Sequence, residues 1–228
     1  MLANHMRRLV QPRIVQSAAL AALATTLLCY PRFALWTGRT HPLWYLEAVT
    51  FCGSFVLWAF VFAWHTHYTQ RPVFTLRISP GAWAVATVAG ILMAFLLHRF
   101  LDPALRQTTP EDYPLNLSQW AAMTLFSLAL NQLFLVFAPF AWLMRLSRRP
   151  TIAVAGTVLI GVVVLLLKTR LSPEPLPMTL LVALVGVRLT LGLLAVGFYL
   201  RGGVLLASGF TLLVQARHLV TLVFGSAP

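Results

Sequence analysis

Acidic side chains are nearly absent: the 228 residues hold five, Glu47, Asp102, Glu111, Asp112 and Glu174. Lysine occurs once, at Lys168, and cysteine twice, at Cys29 and Cys52. Charged residues of all kinds make up only 10% of the chain. So little charge excludes a disordered polyelectrolyte and an ordinary soluble enzyme, in which about a quarter of all residues are charged. Two cysteines in apolar stretches supply neither a disulfide framework nor a zinc box. No His, Cys, Asp and Glu pattern has metal-ligand spacing, so no metal and no cofactor is expected. The loops leave no room for a soluble domain, a glycine-rich phosphate loop or a nucleotide fold.

What is present is apolar surface. Hydrophobic residues form 59% of the chain, and the mean hydropathy is +0.82. The net charge of +12 comes from 17 basic residues. The arginines are scattered singly between apolar runs, which points to anchoring of membrane helices rather than to nucleic acid. An all-α, polytopic membrane bundle in a cell membrane, of the bacterial inner-membrane kind, is the expectation.

A helix needs about 20 apolar residues to cross roughly 30 Å of hydrocarbon. Seven segments approach this: Ile14 to Tyr30, Trp44 to Trp64, Gly81 to Leu101, Leu117 to Arg145, Thr151 to Leu167, Leu176 to Tyr199 and Gly202 to Phe224. The fourth is long enough to tilt or bend, with Pro139 as a cause for a kink. Arg7, Arg8 and Arg13 before the first run resemble a signal peptide. No small-residue cleavage site comes after it, so a retained first helix is expected. The longest loop is expected from Asp102 to Asn116, carrying Asp102, Glu111 and Asp112.

Loop arginines suggest the orientation. With the N-terminus cytoplasmic, that side holds Arg7, Arg8, Arg13, Arg71, Arg77, Arg145, Arg148, Arg149 and Arg201, and the other side Arg32, Arg39, Arg99, Arg106, Lys168 and Arg170. The bias places the C-terminus outside.

Ionisable groups inside a span are costly, about 2.5–3.5 kcal/mol for a central arginine on insertion scales, and so are candidates for function. Arg188 lies about 18 Å into its span, and Asn131 and Gln132 about 20 Å into theirs from the same face. The three therefore share a depth, and Arg188 is expected to be held by either amide, with water or backbone carbonyls completing its donors. Glu47, Gln215, Arg217 and His218 form a secondary set, with Glu47–Arg217 the salt bridge that depth permits. The plainer role for these polar groups is hydrogen bonding between packed helices. His65 and His67 flank Thr66 and do not share a helix face. They are expected at the interface beside Trp64 and Tyr68. Gly81, Gly90, Gly156, Gly161, Gly192 and Gly197 are expected at close helix contacts.

The segments NQLFLVFAPFAWLMRLSRRP (131–150), TIAVAGTVLIGVVVLLLK (151–168) and LGLLAVGFYLRGGVLLASGFTLL (191–213) resemble, in helix order and in the YLRGG turn, the signature helices of the CPBP family. These intramembrane endopeptidases include the CAAX prenyl proteases. The resemblance implies an N-terminal region over 1–116 and a CPBP-like four-helix core over 117–228. The family's glutamate pair falls on Asn131 and Gln132, and its arginine on Val136. Its Phe and His of the second motif fall on Val164 and Lys168, and the His and Asn of the third on Leu212 and Ala216. An amide takes up no proton near neutral pH, so neither Asn131 nor Gln132 can serve as the base. The resemblance thus implies a catalytically silent relative with no catalytic residues, whose partners are the bilayer and a membrane helix, lipid or lipidated peptide. The alternatives are an active intramembrane hydrolase built on Glu47 and a histidine, and a small transporter subunit with Arg188 lining an anion path.

Overall fold

The computed structural model describes residues 11–36, 38–171 and 176–224. Arg7, Arg8 and Glu174 lie outside the described residues. Among the described residues there are helices and no strand. Among the same described residues six helices are long and apolar enough to cross a membrane. They are α1 (Pro12–Ala34), α2 (Leu43–Thr69), α3 (Pro80–Thr108), α4 (Leu117–Ser147), α5 (Pro150–Leu171) and a last stretch, Met178–Val223.

That last stretch is two helices. Gly202 (φ −140°, ψ 17°) and Gly203 (φ 65°, ψ −159°) leave the helical region. Twelve residues along a straight helix span about 18 Å, yet the rings of Phe198 and Phe210 are 5.0 Å apart. The chain therefore turns back, and we name the two arms α6 (178–201) and α7 (204–223). The corner is tied to the 70–79 loop, where the Val204 N–H donates to the Val73 carbonyl at 3.0 Å and Arg71 donates to the Leu200 carbonyl. The seven apolar segments expected from the sequence thus all fall on helices of an all-α bundle, the last two as the arms of one kinked stretch. With large apolar side chains such as Leu20, Val88, Phe95 and Val182 exposed on the helix exteriors, this is a multi-pass integral membrane protein.

Local sequence explains the helix ends. Pro12 and Pro80 occupy first-turn positions, where a missing N–H costs nothing. Ser79 caps α3 by accepting from the Ala82 N–H at 3.2 Å. Asn116 accepts from the Gln119 N–H at 2.9 Å while Gln119 accepts from the Leu115 N–H at 2.8 Å, a reciprocal cap on α4. The buried residues of α1, Ala18, Ala22, Thr25, Cys29 and Phe33, recur with the helical period. The small side chains of Ala18, Ala22 and Thr25 let α2 approach closely enough for Trp58 Nε1 to donate to Thr25 Oγ1 at 2.9 Å. One core joins all seven helices around Trp58, Leu133, Phe137, Phe140, Tyr199 and Phe210.

Among the described residues, π-helical turns interrupt the regular geometry at Val61–His65, Leu97–Leu101, Ser127–Asn131 and Leu133–Phe137. The last lies just before Pro139, whose ring would clash with the carbonyl one turn back in a regular helix; the wider turn relieves it. Two π turns thus stand on the N-terminal side of Pro139, where a kink was expected.

Three local expectations are corrected. The loop expected to begin at Asp102 begins only at Thr109, because α3 runs on to Thr108. Asp102 is buried rather than in a loop. Pro103 does not end the helix, since it sits in the first turn of the segment after the π turn. His65 is buried against Tyr199, with ring centroids 4.6 Å apart, rather than open to the surface beside Trp64 and Tyr68. Of the glycines expected at close contacts, Gly81 and Gly197 face open space, whereas Gly90 and Gly156 would each bring a Cβ within 2.8 Å of a leucine side chain.

Candidate functional site

A cavity of about 260 Å³ lies among α4, α5, α6 and α7. Asn131, Gln132 and Arg188 all line it, so the three residues matched by depth in the sequence share one space. Ser127, Thr157, Thr211 and Gln215 add hydroxyls and an amide, and no lining residue is acidic.

The two π turns of α4 fall on either side of Gln132. Each adds a residue to the turn and rotates the later residues relative to a regular helix, a device common at functional sites. The Gln132 side chain is buried, and its Nε2 donates to Thr211 Oγ1 on α7. Its Oε1 is buried without a partner. Gln215 Nε2 donates to Ser127 Oγ at 3.3 Å, tying α7 to α4 a turn further along.

Arg188 is not held by Asn131 or Gln132. Its Nε donates to the carbonyl of Gly161 at 3.2 Å. Glycine makes the approach possible, because a Cβ at position 161 would stand 3.0 Å from that Nε and 3.2 Å from Nη2. Of the carbonyls and amides expected around the guanidinium, the carbonyl is the one bonded. Nη1 and Nη2 have no acceptor among the described residues.

The second set divides. Arg217 pairs with Asp102, Nε to Oδ2 at 3.1 Å, and not with Glu47. The Asp102 side chain is 3% exposed and that of Arg217 15%, so this pair is largely withdrawn from solvent. Tyr113 donates its hydroxyl to Asp102 Oδ1 at 2.9 Å. Its ring meets that of His218 edge-on at 5.3 Å, and the Arg106 guanidinium lies 4.7 Å above its centroid. Burial, then the charge and hydrogen bond of Asp102, push the Tyr113 hydroxyl well above its ordinary range. Glu47 is half-buried on α2 and lines neither the central cavity nor the spaces that adjoin it.

The central cavity continues toward the face that carries the 109–116 loop. A second space of about 250 Å³ shares Ser127, Asn131 and Gln215 with it and reaches Arg32, Arg217 and His218. A third of about 210 Å³ shares Arg188 and Gln215 and reaches Asp102 and Arg217. This one in turn shares Leu105, Leu165, Leu184 and Arg217 with an apolar trough of about 750 Å³ along α5 and α6. Among the described residues no group of three His, Cys, Asp or Glu side chains is placed to hold a metal ion.

Sequence reasoning missed Asp102, Tyr113, Thr211 and the particular role of Gly161. Asp102 precedes a proline, which signals a loop, and the partners of the others come from distant helices. The one available signal for Asp102 was an acid directly continuing an apolar run, LLHRFLD. Comparisons with protein families, characterised proteins and solved structures give no match.

Proposed function

We propose that this multi-pass membrane protein is a non-hydrolytic binding protein that receives a membrane helix, lipid or lipidated peptide in the cavity among α4–α7. The observation that carries the reading is the meeting of Asn131, Gln132 and Arg188 around one cavity with no carboxylate in its lining. A hydrolase needs a base within reach of the water it activates, and amides and a guanidinium supply none. In the same reading the chain is a silent relative of the CPBP endopeptidases, with an amide pair where that family carries glutamates. It lies in the cell membrane with its N-terminus in the cytoplasm and its C-terminus outside.

The test has two arms. A photo-crosslinking residue at Leu135, which lines the cavity, is expected to capture a lipid or membrane peptide, whereas one at Val88, on the exterior of α3, captures bulk lipid only. Purified protein is expected to leave membrane peptides intact. Cleavage that Asn131→Ala or Gln132→Ala abolishes would overturn the reading.

A further inference from the structure

Given that the central cavity is the binding site proposed above, the groups left over in it define the chemistry of its occupant. A guanidinium carries five N–H donors and stays charged under all ordinary conditions. At Arg188 one donor is used, by the Gly161 carbonyl at 3.2 Å. The remaining charge has no counter-ion among the lining residues of the central cavity. Asp102, the acid on the adjoining space, is already engaged by Arg217 and Tyr113. If Arg188 served only to join two helices, protein acceptors would be expected around the whole fork, since lipid offers none. They surround only its Nε.

Gln132 adds a second observation. Its carbonyl Oε1 is buried and unpartnered while Nε2 meets the Thr211 hydroxyl. The two ends of an amide are assigned by their surroundings, and a hydroxyl serves as donor or acceptor. In either orientation one end of the Gln132 amide is left without a protein partner. Asn131, which is exposed to the same cavity, has an amide of its own to offer.

The surroundings say what the anion is attached to. From Arg188 the adjoining space runs past Leu165, Leu184 and Leu105 into the apolar trough of about 750 Å³. The trough also has Glu111, Asp112 and Lys168 in its lining, with Lys168 paired with Asp112 at 2.6 Å. A charged head with an apolar tail matches this sequence of environments; a free inorganic ion does not need the trough. We infer that the cavity binds an acyl-chain carboxylate or phosphate, with its anionic head on the Arg188 guanidinium and its chain along Leu165 and Leu184.

The experiment measures equilibrium binding to the full chain in nanodiscs of zwitterionic phosphatidylcholine, with empty discs as background. The probes are dodecanoate, dodecyl phosphate, dodecanol and inorganic phosphate. Dodecanoate and dodecyl phosphate are expected to bind at least about tenfold more tightly than dodecanol, the margin of one charge-assisted contact. Arg188→Gln is expected to erase that margin, and Arg188→Lys to keep part of it. Asn131→Asp tests the same point without touching the arginine, because it supplies a carboxylate to the cavity and should weaken dodecanoate while sparing dodecanol. Equal binding of dodecanoate and dodecanol, or anion binding that survives both Arg188→Gln and Asn131→Asp, overturns the anion inference and leaves the binding reading standing. Inorganic phosphate binding as tightly as dodecyl phosphate overturns the acyl chain. Binding of none of the probes overturns the inference, and the cavity reading stands or falls separately on the crosslink at Leu135.

Discussion

Arg217 and Asp102 form a buried ion pair between α7 and α3, with Nε 3.1 Å from Oδ2 and 3.4 Å from Oδ1. Tyr113 satisfies Oδ1 as well, and Arg217 Nη1 donates to the Val214 carbonyl at 2.9 Å, so the charges are paired and hydrogen-bonded together. Removing one member leaves the other uncompensated, at a cost of about 3 kcal/mol. Asp102→Leu and Arg217→Leu are each expected to lower stability by that amount in detergent melting or denaturant titration. The double variant is expected to recover most of the loss, because it buries no unpaired charge. A double variant as unstable as the sum of the singles would show that the pair does not act as a unit.

Tyr113 adds a pH dependence at the same place. Its hydroxyl titrates above the ordinary value of 10.0 in the folded protein, through burial and the neighbouring Asp102. With the folded value raised, the folded state keeps its proton where the unfolded chain has lost it. The contribution is therefore complete below about pH 10 and is lost as pH rises through the folded value. The difference in melting temperature between wild type and Tyr113→Phe, measured from pH 8 to 11, is expected to be constant up to about pH 10 and to shrink above it. A constant difference across the series would sink the assignment.

Gly161 is the packing partner of Arg188, and its role is open to the same kind of test. A Cβ there would stand 3.0 Å from Nε, tighter than an ordinary contact. Gly161→Ala is expected to displace the guanidinium and cost about 1–3 kcal/mol by overpacking. Gly197→Ala, in open space on α6, is expected to be neutral or to stabilise by up to about 1 kcal/mol through helix propensity. Equal effects at both positions in detergent melting would remove the structural reason given for Gly161.

How much of this was legible in the sequence depended on the range of the signal. Long apolar runs mark helices because the membrane demands them, and so the positions of α1 to α7 could be read directly. Depth brought Asn131, Gln132 and Arg188 to one level, since rise per residue is fixed. It could not say what each side chain touches. The two π turns around Gln132 alter the register by which faces are counted, and Thr211 and Gly161 lie on other helices. The same limit produced the Glu47–Arg217 pairing. Depth alone allowed it, whereas Asp102 reads as a loop residue because Pro103 comes next.

The corner at Gly202–Gly203 decides on which side of the membrane the chain continues. A straight helix over Met178–Val223 would have 46 residues and a length of about 69 Å, more than twice the roughly 30 Å of hydrocarbon it would have to cross. Folded back at the corner, each arm is of crossing length instead. The conformation at Gly203, with φ at 65° and the Val73 carbonyl where a Cβ would stand, is open to glycine and strained for any other residue. Under the proposed orientation, reporters fused after Arg77 and after Arg149 are expected to be cytoplasmic, and a reporter after Val223 external. A straight last helix would place the reporter after Val223 on the same side as the other two, so that single fusion separates six crossings from seven. Gly203→Ala supplies the complementary measurement. Its strain is worth about 1–3 kcal/mol, and it is expected to lower the melting temperature while leaving the reporters at Arg77 and Arg149 cytoplasmic. An external signal at Arg77 or Arg149 in the wild type would overturn the orientation, and a cytoplasmic one at Val223 would overturn the corner.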